Sequence, residues 1–136
     1  MIGLILVAHG EIATSLLDAT SKICGPPHGV RAITLGDPID EQALLKRILD
    51  ARKELDQGDG VLILTDMFGG TPSNICFSLL QERAVEVLTG MNLPMIVKLM
   101  TLRQEKNLQE LVAIALECGR ENIYSAREIL NRTRKG

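Results

Sequence analysis

The stretch VLILTDMFGGTPSN, Val61 to Asn74, decides the fold. Its first five residues, Val61 to Thr65, are almost entirely apolar and β-branched or leucine. A run of that length predicts a strand buried on both faces. Asp66 to Gly70 reads as a loop. Thr71 and Pro72 open a helix predicted to run to about Leu80, since a proline early in a helix gives up only an N–H that has no acceptor there. Strand, glycine-bearing loop and helix in direct succession make the first half of a βαβ unit.

The same order recurs on either side. Ile2 to Ala8 is a short apolar run, ended by His9 and Gly10. Glu11 to Cys24 show helical spacing, with Ile12, Leu16, Leu17, Ala19 and Ile23 on one side, and Gly25-Pro26-Pro27 stops that helix. Val30 to Leu35 is a second strand. Asp40 suits the N-cap of a helix whose apolar stripe is Ala43, Leu44, Ile48, Leu49 and Leu55, and Gly58-Asp59-Gly60 is a turn. Ala84 to Leu88 makes a fourth strand. Asn92 caps the next helix with Pro94 in its first turn, and a further helix runs from about Leu108 to Cys118, ended by Gly119. Asn122 to Ala126 is read as a fifth short strand. This alternation predicts a doubly wound α/β fold, a mostly parallel four-stranded sheet with helices on both faces. No internal repeat, low-complexity segment or Pro/Gly/Ser-rich linker divides it, so a single domain over residues 1–136 is expected.

Composition agrees. Of 136 residues, 46% are hydrophobic and 24% charged, a globular balance that rules out wholesale disorder. A chain this long buries roughly two-thirds of its unfolded surface. Aromatic residues are 2%, so the core must be Leu, Ile, Val, Ala and Met. A net charge of -2 implies no broad basic surface for nucleic acid, although Arg127, Arg132, Arg134 and Lys135 face only Glu128 at the end of the chain. Cys24, Cys76 and Cys118 are odd in number and form no CxxC, which argues against a disulfide scaffold or zinc site and fits a cytoplasmic protein. The apolar N-terminal run is too short to span a bilayer and lacks a basic flank, so it reads as a strand and not as a targeting segment.

In a doubly wound sheet, sites form at the carboxyl ends of strands where the strand order reverses. That rule selects His9, after the first strand, and Asp66, after the third. If those strands are neighbours, the carboxylate accepts the Nδ1 proton and leaves Nε2 with a free lone pair, poised as nucleophile or base. From the residues alone, a surface histidine beside an unrelated loop aspartate stands level with this reading. Gly69-Gly70-Thr71-Pro72 opens a helix directly after Asp66, and Gly10-Glu11 opens another beside His9. Two helix N-termini at one histidine suggest a phosphate site, although Gly-Gly alone is weak and an ordinary strand-to-helix turn has the same form. The dinucleotide and P-loop fingerprints are absent, as is GxSxG. His28 reads as a solvated loop residue. Asp37, Asp40 and Glu41 read as turn and helix-start residues, not metal ligands. Met91, Met95 and Met100 read as filler, and Cys76 as a small buried residue.

Taken together, Val7-Ala8-His9-Gly10, then Thr65-Asp66-Met67-Phe68-Gly69-Gly70-Thr71-Pro72-Ser73-Asn74, then Gly90-Met91-Asn92-Leu93-Pro94-Met95 resemble the enzyme IIA component of the mannose/fructose family of the bacterial sugar phosphotransferase system. Leu111 to Glu121 is similar to that family's C-terminal helix and the start of its last strand. The resemblance covers about residues 1 to 130. It implies a phosphotransferase component that accepts phosphate from HPr on Nε2 of His9 and passes it to a separate IIB component for sugar uptake. It also implies that Asp66 orients His9, and that Gly10, Gly69, Gly70 and Thr71 lie around the phosphate. It implies a homodimer exchanging a C-terminal strand, here near Asn122 to Ala126, and a membrane link only through IIC and IID transporter partners. No cofactor or metal is expected. Family members often carry Trp and Ser where this chain has Phe68 and Thr71, changes that keep the chemical type.

Other classes compete with this reading. A regulatory phosphate-acceptor module, controlling a partner without a transporter, would use the same residues. A receiver-like domain phosphorylated on Asp66 would need paired acidic residues after the first strand to hold Mg²⁺, where His9-Gly10 stands instead. A small hydrolase using His9 and Asp66 lacks a nucleophile in a recognisable setting.

Overall fold

The computed structural model describes residues 1–135. Four strands, β1 (Gly3–Ala8), β2 (Val30–Thr34), β3 (Val61–Thr65) and β4 (Val85–Thr89), alternate with helices α1 (Ile12–Cys24), α2 (Glu41–Leu55) and α3 (Gly70–Ser78). A 3-10 turn, Leu79–Gln81, extends α3, and α4 (Leu93–Leu102), α5 (Leu108–Glu121) and α6 (Ala126–Lys135) come after β4. The sheet is wholly parallel, in the order β2-β1-β3-β4.

Burial explains which strands are central. Every residue of β1 and β3 is buried, as their continuous apolar runs require. At the edges, β2 mixes buried and exposed positions and β4 buried and half-buried ones. On one face, Leu4, Leu6, Leu62 and Leu64 pack with Ala13 of α1, Ile96 and Leu99 of α4, and Leu111 and Ala115 of α5. On the other, Ile5, Val7, Val61 and Ile63 pack with Leu44 and Ile48 of α2 and Cys76 of α3. Alternate residues of one strand thus feed two cores, which is how a doubly wound sheet uses the period of two.

The expected caps form. The Asp40 carboxylate accepts from Ala43 N at 3.1 Å, and the Asn92 side chain accepts from Met95 N at 3.0 Å with Pro94 in the first turn of α4. α5 starts on a capping box, Asn107 with Glu110. α1 differs in its buried face. Ala13 and Thr20 are the buried residues, whereas Ile12 and Ile23 are exposed.

Two expectations are corrected. Gly119 does not end a helix but lies buried inside α5. Its reason is packing, since a Cβ there would stand 2.7 Å from Met95 Cε of α4. Nor is Asn122 to Ala126 a strand. Asn122 is in a turn, residues 123 to 125 have no regular structure, and Ala126 starts α6. So short a segment holds strand conformation only with a pairing edge, and among the described residues none pairs with it. No helix among the described residues is long and apolar enough to cross a membrane.

Candidate functional site

β1 lies between β2 and β3, and in register Val7 faces Ile33 on one side and Thr65 on the other. The strand order therefore reverses at β1, and a crevice opens at the carboxyl ends of β1 and β3. His9 comes one residue after β1 and Asp66 one residue after β3, so the parallel register delivers both side chains to the crevice.

The two residues are joined twice. Asp66 Oδ2 accepts from the backbone N–H of His9 at 3.0 Å and lies 2.9 Å from His9 Nδ1. Asp66 Oδ1 accepts from Met67 N at 3.0 Å. Burial pushes the Asp66 carboxyl up, but the bonds from the His9 backbone and ring, with the ring's charge, outweigh it and hold the group below the usual carboxylate range. In the neutral ring, an ionised carboxylate at Nδ1 holds the proton there and leaves the lone pair on Nε2. Nε2 has no hydrogen-bond partner among the described residues. The His9 side chain is 52% exposed and that of Asp66 14%, so the ring is presented to solvent on a mostly covered anchor.

The loop from Asp66 to Gly69 turns directly into α3. Gly69 and Gly70 adopt φ of 108° and 77°, a region that side-chain-bearing residues avoid, and this is why the turn needs two glycines. Gly70 and Thr71 are the first residues of α3, so the helix leaves their N–H groups without acceptors. The N–H of Gly69 is already engaged, donating to Ser73 Oγ at 3.0 Å. His9, Gly10 and Thr71 line a cleft of about 710 Å³ together with Gly36, Asp37 and Glu41. A nucleophilic nitrogen beside unpaired helix-start N–H groups can receive a tetrahedral anion.

All the expected site residues thus come together at one end of the sheet. His9, Gly10 and Thr71 line the cleft, Asp66 anchors the ring, and Gly69 and Gly70 shape the loop. His28 is elsewhere, its carbonyl accepting from the guanidinium of the buried Arg103. Asp37 and Glu41 turn out to be cleft walls. Ser73 is buried inside α3 and bonded to the loop, a placement that nothing in its sequence setting separates from that of a solvated helix serine. Met67 and Phe68 stand out from the same loop, 59% and 71% exposed.

Comparison with known proteins gives one family. The model described as PTS system fructose IIA component matches residues 3–116. The PTS system mannose-specific EIIAB component of Escherichia coli K12 is 32% identical over 124 residues, 90% of this chain, and the chain spans 38% of that protein's length. The PTS system fructose-specific EIIA component of Bacillus subtilis is 29% identical over 113 residues, covering 82% of this chain and 77% of its own. The crystal structure of a phosphotransferase system component EIIA from Streptococcus agalactiae superposes with a TM-score of 0.81 at 26% identity, covering 92% of this chain and 97% of its own.

Proposed function

The chain belongs to the family of PTS fructose IIA components, and from that premise we propose that it is a phosphoryl carrier of the sugar phosphotransferase system, taking phosphate from HPr on His9 and passing it to a IIB component. The observation that carries this reading is the His9–Asp66 pair, with Oδ2 2.9 Å from Nδ1 and Nε2 left without a partner among the described residues.

In the proposed step, the Nε2 lone pair of His9 attacks phosphorus as the N–P bond of the donor phosphohistidine breaks and the donor imidazole departs with its electron pair. The proton on Nδ1 stays put. His9 gains positive character as Nε2 bonds phosphorus, and Asp66 offsets it. Gly70 and Thr71 N–H groups, with those at Gly10, balance the charge of the three phosphoryl oxygens. Asp37 and Glu41 add negative charge to the cleft lining, which disfavours a resting phosphoryl group and supports a carrier that hands it on. Exposed Met67 and Phe68 beside the site supply apolar area for a docking protein.

Homodimerisation is part of the proposal. β4 is an edge strand, and Ile123 and Tyr124, after α5, are 77% and 57% exposed. Pairing between two copies would cover both the open edge and these side chains.

The test is incubation with phosphoenolpyruvate, enzyme I and HPr, and then mapping of the modified residue. The label should be acid-labile and base-stable, should sit on His9, and should vanish in His9→Ala. Equal labelling of His9→Ala overturns the assignment.

A further inference from the structure

We propose that Ser73 is a positioning residue for phosphoryl transfer, its buried hydroxyl setting the loop that carries Asp66 and aiming the first N–H groups of α3. The inference rests on the phosphoryl-carrier reading of His9 and adds a residue to that machinery.

Ser73 is 1% exposed, one of the few buried polar residues among those described. Its Oγ accepts from Gly69 N at 3.0 Å and donates to Met67 O at 3.1 Å. One hydroxyl thus uses its proton and a lone pair on two backbone groups that flank Phe68. The loop has little else to hold it from within. Met67 and Phe68 point largely into solvent, and Gly69 and Gly70 have no side chains. Phe68 is 71% exposed and stacks at a tilt on the ring of Phe77, with centroids 5.7 Å apart. Glycines in left-handed conformations carry the largest entropic cost of ordering, so a pinned path through them needs specific bonds.

The consequence reaches the site in two directions. Met67 O fixed by Ser73, and Met67 N fixed by Asp66 Oδ1, hold Met67 at both ends, which limits how far the Asp66 carboxylate can swing from His9. Gly69 N–H fixed by Ser73 sets the entry of the chain into Gly70 and Thr71, whose N–H groups are the free ones. It also withdraws Gly69 N–H from any anion, so Ser73 selects which donors face the cleft. Without the hydroxyl, Gly69 N–H competes for the anion or for water, and the preorganised set loosens.

The experiment uses the full chain in three forms, wild type, Ser73→Ala and Ser73→Thr, with single-turnover transfer from phospho-HPr resolved into maximal rate and half-saturating donor concentration. Rates are expressed per folded molecule from a circular-dichroism melt. For Ser73→Ala the maximal rate is expected to fall about ten- to a hundredfold, as for a displaced catalytic array, while half-saturation stays within about twofold. Ser73→Thr, which restores a hydroxyl, should recover most of the rate. A merely structural serine would lower the folded fraction and leave the rate per folded molecule unchanged, and that result overturns the proposal. A second measurement needs no variant. In wild-type chain the Gly69 amide should exchange hydrogen more slowly than that of its exposed neighbour Phe68, before and after phosphorylation. Exchange of Gly69 as fast as that of Phe68 would sink the idea even if Ser73→Ala failed to fold. A wild-type chain that takes no phosphate on His9 overturns the carrier reading itself, and the protected Gly69 amide then tells that failure apart from a missing Ser73 contact.

Discussion

At Asp66 one carboxylate oxygen meets both the backbone and the ring of the same histidine, and this sharing makes Asp66→Asn an informative change. The amide can present N–H where Nδ1–H needs an acceptor, which favours the wrong tautomer. Transfer from phospho-HPr should fall by roughly two to four powers of ten, as in other His-carboxylate pairs. The Asp66 side chain is only 14% exposed and accepts three bonds, so a stability loss of about 1–2 kcal/mol should accompany the kinetic one. The pH dependence has a definite sign. The folded carboxyl lies below its ordinary value, so its contribution is fully present above the ordinary carboxylate pKa and is lost as pH falls through the lowered one. Denaturant melts of wild type and Asp66→Asn should therefore converge on the acid side. Beneath the site, Thr65 Oγ1 is buried without a partner among the described residues. Thr65→Val removes a desolvated hydroxyl at nearly constant shape and should raise stability by about 1 kcal/mol, read as a higher melting temperature. Burial pushes the Cys76 thiol up to about 11. Alkylation near neutral pH should then label exposed Cys24 and spare Cys76 until the chain is denatured, as peptide mass mapping would show.

Among the elements, the seam between α4 and α5 is the most closely specified. Asn92 caps α4 by accepting from Met95 N, and its Nδ2 donates to Gly119 O of α5 at 3.0 Å. One side chain thus starts one helix and fastens the next, while Gly119 leaves room for Met95. Asn92→Ala removes both bonds and should cost about 1–3 kcal/mol, seen as a lower denaturant midpoint with unchanged slope. Met95 leads into the apolar core, so the loss should appear as global destabilisation. The turn before β3 is equally constrained. Gly60 has a φ of 91°, and a Cβ there would lie 2.6 Å from Ala84 O, a backbone atom that cannot move aside without disturbing β4. Substitution at Gly60 combines backbone strain with that collision.

For the whole molecule, the arrangement β2-β1-β3-β4 leaves two edges, and in the proposed homodimer the residues after α5 meet the β4 edge. α6 carries exposed Ile129 and Leu130 with Arg127 and Arg132 among them. Light scattering should report a dimer for the intact chain, and deletion from Asn122 onward should shift it towards monomer. The described core is complete without that segment, since the residues of both clusters lie between Ile2 and Leu116, so the shortened chain should still fold cooperatively.

The sequence by itself determined the four strands, the first five helices within a few residues, both capping residues Asn92 and Asp40, and the places of His9 and of Asp66 with its glycine loop at strand ends, while the contact between the two is seen only in the structure. Those features are local. Apolar runs of five or six residues, caps and glycines act through the chain's own neighbourhood, and strand ends are where a parallel sheet places its site. Only the tertiary structure decided the rest. Gly119 looked like a stop, but its missing side chain answers to Met95 on another helix. Asn122 to Ala126 has strand-like residues, yet strand conformation requires an edge that this chain does not bring to it. Ser73 is indistinguishable in sequence from a surface serine, because its role depends on a loop folding back over it. In each case the deciding atom belongs to a residue outside the local pattern, and only close packing brings it into contact.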